Sequence, residues 1–157
     1  MTLVVDIQRE SAEPAPDDED LSRAAAAALA GRRDQAELCL RLVDEAESAA
    51  RNHRYRGRSG PTNVLSFPCD AALPDCHLLG DLVICAPLVA REARAQGKTA
   101  ADHWAHLTVH GVLHLLGYDH VEDADADIME NEERAVLAEL GIADPYALPA
   151  DTDTMSQ

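Results

Sequence analysis

The sequence predicts a single α/β domain in which a mixed, mostly parallel four-stranded sheet is packed by about five helices. Three observations lead there. Apolar, β-branched runs alternate with helical patterns in the order βαβαββααα, with no internal repeat. A length of 157 residues is about one domain's worth, enough to bury a core without disulfides. The hydrophobic fraction is an ordinary 46% but aromatics are only 3%, so Leu, Val, Ile and Ala build the interior around Phe67 and Trp104. The domain is expected over residues 1–150, with 151–157 as a flexible tail.

Residues 3–8 form the first strand by their β-branched content. The acidic, Pro-containing stretch 11–20 is a loop, and Asp20 or a neighbour caps an Ala-rich helix over 21–29 that Gly31 ends. Residues 36–43 read as a buried strand, after which Asp44 starts a short helix through about Asn52. The Gly, Ser and Pro content of RYRGRSGPTN marks a loop, followed by strands over 64–68 and 78–85. Pro87 occupies the first turn of a helix that stops before Gly97. Thr99 caps the next helix, over 100–116 and closed by Gly117, and a last helix runs over 123–140 to Gly141.

A formal net charge of −16 and a pI near 4.6 argue against non-specific attraction to nucleic acid or anionic lipid, which counts against an RNA substrate and leaves DNA unexpected as a partner. No apolar run reaches a membrane span, and residues 1–10 lack the pattern of a secretion signal, so the cytoplasm is the expected location. The cysteines form no C-x-x-C pair. Cys39 and Cys85 sit in apolar runs and are expected in the core, whereas Cys69 and Cys76 flank a Pro-containing turn, where irregular spacing and a reducing cytosol speak against a role as accessory ligands or redox-active groups.

Chemistry concentrates in His110-Gly-Val-Leu-His114. Two imidazoles four residues apart on a helix share a face. Gly117 can end the helix and turn the chain so that His120 approaches the same point. Three neutral nitrogen ligands with an open fourth position describe a catalytic zinc site. Unpartnered histidines on an otherwise apolar helix would be costly, which favours the metal over coincidence. Asp119 and Asp81 are candidates to orient a ligand's second nitrogen, or solvated turn residues. His103 and His106 are expected at the surface or in packing, with His106 able to line the cleft.

The H-x3-H-x5-H frame is shared with metzincin proteases, which carry Glu directly after the first His as general base. Here that position is Gly111, and Met129 follows in an acidic helix rather than an evident turn. A protease is therefore the runner-up. A non-catalytic assembly factor with structural zinc is the other alternative, and would need a fourth protein ligand such as Cys69, Cys76 or Asp119.

HGVLHLLGYDH, together with YRGRSGPTNVLSFP, resembles the YbeY endoribonucleases of bacteria, which act in ribosomal RNA maturation. VDEAES, LLGDLVIC, the HWAH run and LGIADPY also fit, so the likeness covers about 41–146. It implies a zinc ion on His110, His114 and His120, a mixed sheet packed by helices, a positively charged cleft, and a functional arginine before PTNVLSF, here Arg56. It also implies single-stranded RNA, ribosomal RNA and the small ribosomal subunit as partners, and maturation of the 16S rRNA 3′ end. Ser59 departs from the pattern, standing where an acidic residue is expected.

Arg51, Arg54, Arg56 and Arg58 form a local basic cluster in an acidic chain, and a guanidinium suits phosphate through its planar fork. Arg56 is assigned to catalysis and substrate binding; the other three are phosphate contacts or a solvated face. Asn63 and Ser66 lie beside the same loop as substrate contacts, and no Ser-His-Asp ordering makes Ser66 a nucleophile. The expected chemistry is metal-assisted phosphodiester cleavage.

Overall fold

A computed structural model describes residues 2–69, 78–118 and 123–146. Its four strands are β1 (Thr2–Arg9), β2 (Gln35–Val43), β3 (Val64–Pro68) and β4 (Leu78–Cys85). Its five helices are α1 (Asp18–Leu29), α2 (Glu45–Arg56), α3 (Ala86–Ala95), α4 (Ala100–Leu115) and α5 (Asp123–Glu139). The sheet order is β1-β2-β4-β3. β1 and β2 are parallel, as are β2 and β4, while β3 runs antiparallel to β4 on the edge. The mixed, mostly parallel sheet expected from the element order is the one observed. Residues 147–157, including the expected tail, lie outside the described residues.

Helices α1, α4 and α5 bury their apolar stripes on one sheet face, where Leu21, Leu38, Leu40, Leu82, Ile84 and Trp104 form the main core. On the other face Val43, Leu65 and Val83 make a smaller cluster with Phe67. Tyr55 of α2 covers that cluster, its ring edge-on to Phe67 at 4.9 Å. Strand alternation therefore decides which residues can approach α4. Cys85 is buried as expected, but Cys39 is only half-buried, because the pleat sends it opposite to Leu38 and Leu40.

Two helices depart from their expected limits. α1 starts three residues early, since Asp17 rather than Asp20 is the cap; its carboxylate accepts from the Asp20 N–H at 2.9 Å. α2 continues past Asn52 to Arg56, ending at the left-handed Gly57 (φ 66°). Nothing before Gly57 breaks it, and His53, Arg54 and Arg56 in its last turn face the C-terminal end of the helix dipole favourably. The following loop is stapled back onto α2. Ser48 Oγ donates to the Thr62 carbonyl at 2.8 Å, and Asn52 Nδ2 donates to the Gly60 carbonyl at 2.9 Å.

Glycine sets the distance between α4 and the sheet. A Cβ on Gly111 would stand 2.7 Å from Leu82 Cδ2, so a side chain there would force Leu82 to shift. Gly80 is more constrained. Its φ is +149°, and a Cβ would meet the Phe67 carbonyl oxygen at 2.4 Å and Leu115 Cδ2 at 2.9 Å. Gly80→Ala is predicted to lose about 3 kcal/mol of stability, from backbone strain and overpacking together. Urea denaturation should show a lower midpoint at unchanged slope; an unchanged midpoint would contradict this packing.

Candidate metal centre and adjoining cleft

Four histidines run along one face of α4. The ring centroids of His103 and His106 are 6.0 Å apart, those of His106 and His110 6.3 Å, and those of His110 and His114 6.5 Å. The last two rings are parallel to within 6°, and their one-turn spacing puts both on the same helix face. Position 111, immediately after the first of the pair, points at Leu82 in the sheet. His120, Asp119 and Cys76 lie outside the described residues, and among the described residues no group of three His, Cys, Asp or Glu is arranged to hold a metal.

The polar partner of this ladder is one that sequence reading missed. Glu133 of α5 is fully buried, and its Oε1 accepts a short hydrogen bond from His110 Nδ1. Its Oε2 accepts from His106 Nε2 at 3.3 Å and, in another short contact, from the Tyr146 hydroxyl. Burial acts to raise the Glu133 carboxyl, but the hydrogen bonds from His106, His110 and Tyr146 prevail and hold it down to about 2. Burial and the neighbouring carboxylate push the Tyr146 phenol up, so it stays a donor. The signal for Glu133 was in the sequence. On α5 the buried positions Met129, Glu133, Val136 and Leu137 form one helical stripe, and an acid on an apolar stripe needs a partner.

Fit to a zinc ion can be judged from this donor chemistry. Glu133 engages His110 through Nδ1, and a carboxylate on that ring nitrogen is the arrangement typical of a histidine that ligates metal through Nε2. Together with His114 one turn on, this suits a nitrogen-preferring divalent ion.

Beside His110 opens a cleft of about 290 Å³ lined by Arg56, Asn63, His106, His110 and Tyr146, among others. Arg56 stands on the last turn of α2 rather than in a loop, with the guanidinium exposed. Among the described residues, Arg51 pairs with Glu47, while Arg54, Arg56 and Arg58 have no carboxylate within 4.0 Å. Asn63 enters the cleft wall in a fixed pose. Its Oδ1 accepts from the Val64 N–H at 2.7 Å and its Nδ2 donates to Glu92 at 3.1 Å. Ser66 lies on the strand side of α4, its Oγ donating to the Gly111 carbonyl at 3.4 Å, and is not among the cleft's lining residues.

Asp81 requires correction. It pairs across β4 with Cys39 and Phe67, and the pleat turns it to the Val83 face, opposite to Leu82 and α4. It does not orient His110 or His114, and the second nitrogen of His110 is held by Glu133 instead. His103 is buried in packing, one of its two expected places, and His106 lines the cleft.

The comparisons with known proteins agree with one another. The family model described as Endoribonuclease YbeY matches residues 7–141. The chain belongs to the YbeY endoribonuclease family. A relative named Endoribonuclease YbeY from Pseudomonas entomophila (strain L48) is 54% identical over 156 residues, 98% of this chain and 99% of its own. Another of that name, from Xanthomonas oryzae pv. oryzae (strain MAFF 311018), is 61% identical over 129 residues, covering 78% of this chain and 79% of its own. The solution structure of TM1509 from Thermotoga maritima has the same fold at a TM-score of 0.56 and 24% identity, covering 92% of this chain and all (100%) of that one. Family membership makes the chain an endoribonuclease. No described helix is long and apolar enough to cross a membrane.

His103 yields a prediction about acid stability. Burial lowers its pKa below the ordinary 6.5, and the hydrogen bond to Glu92, 2.9 Å from Nε2, only partly offsets this. The unfolded chain therefore takes up a proton that the folded chain refuses. The contribution is complete above about pH 6.5 and is lost as pH falls from there through the lower folded value. Urea midpoints measured from pH 7 down to 5 should fall more steeply for the wild type than for His103→Gln. Parallel curves would show that His103 does not titrate across folding.

Proposed function

We propose that this endoribonuclease is zinc-dependent and single-strand-specific, and that it matures the 3′ end of 16S ribosomal RNA and serves ribosome quality control in the cytoplasm, in contact with the small ribosomal subunit. The observation that carries this reading is that His110 and Arg56, from different elements, line the same cleft. One is a nitrogen donor with its second nitrogen already engaged. The other is a guanidinium with no carboxylate partner among the described residues.

A zinc ion held by His110, His114 and His120 would supply Lewis-acid polarisation and an acidified water. The chain's own residues supply the rest. Arg56 binds a phosphate through its fork and stabilises the charge that develops on the phosphorus-bound oxygens. Asn63, pinned by Glu92 and Val64, presents its remaining amide hydrogen to the substrate. Tyr146 and His106 close the far wall while holding Glu133. The protease alternative lacks its base. Position 111 faces Leu82, and Glu133 stands on the Nδ1 side of His110, behind the ligand rather than on its metal-facing side.

Two measurements test this reading. Cleavage of single-stranded RNA should be abolished by a chelator and by His114→Ala, which also loses metal, while peptides remain uncut. Peptide hydrolysis that vanishes in His114→Ala, with RNA left intact, would select the protease. A fourth protein ligand on a tightly held ion, with no RNA cleavage, would select the assembly factor.

Arg56→Ala should lower turnover by about 10²-fold or more at unchanged zinc content, by comparison with lost oxyanion donors. Arg56→Lys should recover little, since a point charge does not reproduce the fork. Affinity for RNA should fall with added salt. Near-normal cleavage by Arg56→Ala would assign this arginine to the structure of α2.

A further inference from the structure

We propose that Glu133 is the positioning residue of the metal centre, holding the His110 imidazole with Nδ1–H turned to the carboxylate so that Nε2 is the nitrogen offered to the ion. The inference rests on His110 being a ligand, as argued above, and adds a residue from a helix that carries none of the histidines.

The geometry carries it. An ionised carboxylate only accepts, so every group bonded to Glu133 must donate. Three donors converge on it: His110 Nδ1–H on Oε1, with His106 Nε2–H and the Tyr146 hydroxyl on Oε2. Each partner has a separate consequence. The proton on His110 Nδ1 frees Nε2, whereas free imidazole side chains carry the proton mostly on Nε2. His106, with Nε2 committed, is kept out of the ligand set although it lies one turn from His110. Tyr146 fixes the carboxylate from a segment beyond the end of α5, so a residue at the cleft mouth is tied to the ligand's orientation. Full burial of Glu133 removes competing water and keeps the hydrogen bonds strong. A carboxylate behind a histidine ligand also makes the imidazole a stronger electron donor, and its loss typically weakens metal binding by about 10- to 100-fold.

Glu133→Gln tests this with little change of shape, since it leaves one acceptor oxygen where three donors converge. Nitrogen-15 NMR of the metal-free protein should find His110 protonated on Nδ1 in the wild type, and shifted toward Nε2–H in the variant. Zinc affinity, measured by competition with a chromophoric chelator, should fall about 10- to 100-fold. Tyr146→Phe, which keeps the carboxylate, should retain the Nδ1–H form and lose less affinity. A Glu133→Gln protein with the wild-type tautomer and wild-type zinc affinity would overturn the proposal. So would a lowered melting temperature of the metal-free variant with zinc affinity unchanged, because that marks a structural role alone. A wild-type chain that binds no zinc would instead overturn the reading of His110 as a ligand, and this inference with it.

Discussion

The close approach of α4 to β4 is the contact on which the rest of the molecule depends. Gly111 and Gly80 remove the two Cβ atoms that would hold helix and strand apart, at Leu82 and at Phe67 and Leu115. With α4 pressed onto the sheet, its apolar residues, from Trp104 to Leu115, are consumed in the core. The face left over is the one that carries His103, His106, His110 and His114. Interiors pack at crystal-like density, so a helix seated this tightly has little freedom to rotate. α5 closes over the ladder from the side, and its one buried acid meets the two central rings.

The acidic balance of the chain is reconciled with a polyanionic substrate by where the carboxylates are spent. Glu45 pairs with Arg91, Glu47 with Arg51, and Glu132 with Arg32. Exposed pairs of this kind add little stability. Their consequence is electrostatic, since the arginines at the end of α2 are left without acidic partners among the described residues. The continuation of α2 to Gly57 matters for the same reason. It mounts Arg56 on a helix terminus, and the Ser48 and Asn52 hydrogen bonds then lead the chain from that terminus to Asn63. Two cleft residues seven positions apart in sequence are thus set by one short stapled loop.

A second polar network stands beside the first. Glu92 of α3 accepts from Asn63 and from His103, joining the cleft wall to the buried end of the histidine ladder. Glu92 and Glu133 do similar work at successive points along α4. Each is a carboxylate from a neighbouring helix that accepts from the ladder and from one residue of the cleft wall.

The strands, the five helices and their order were legible in the sequence because they follow from local patterns: alternation in β1 and β2, glycine stops, and the Thr99 cap. The spacing of His110 and His114 determined that both imidazoles share a helix face, since that is a property of helical pitch alone. Fold class and the shared face of the two imidazoles thus came from the chain by itself. What only tertiary structure decided is which carboxylate serves the histidines. Asp81 and Glu133 are both acids in apolar surroundings, and nothing local separates them. The pleat of β4 turns Asp81 away from α4, while the packing of α5 across α4 brings Glu133 to His110. Pairing between residues 23 positions apart on two helices depends on how those helices cross. That crossing is set by the shape of the whole core, not by any stretch of sequence.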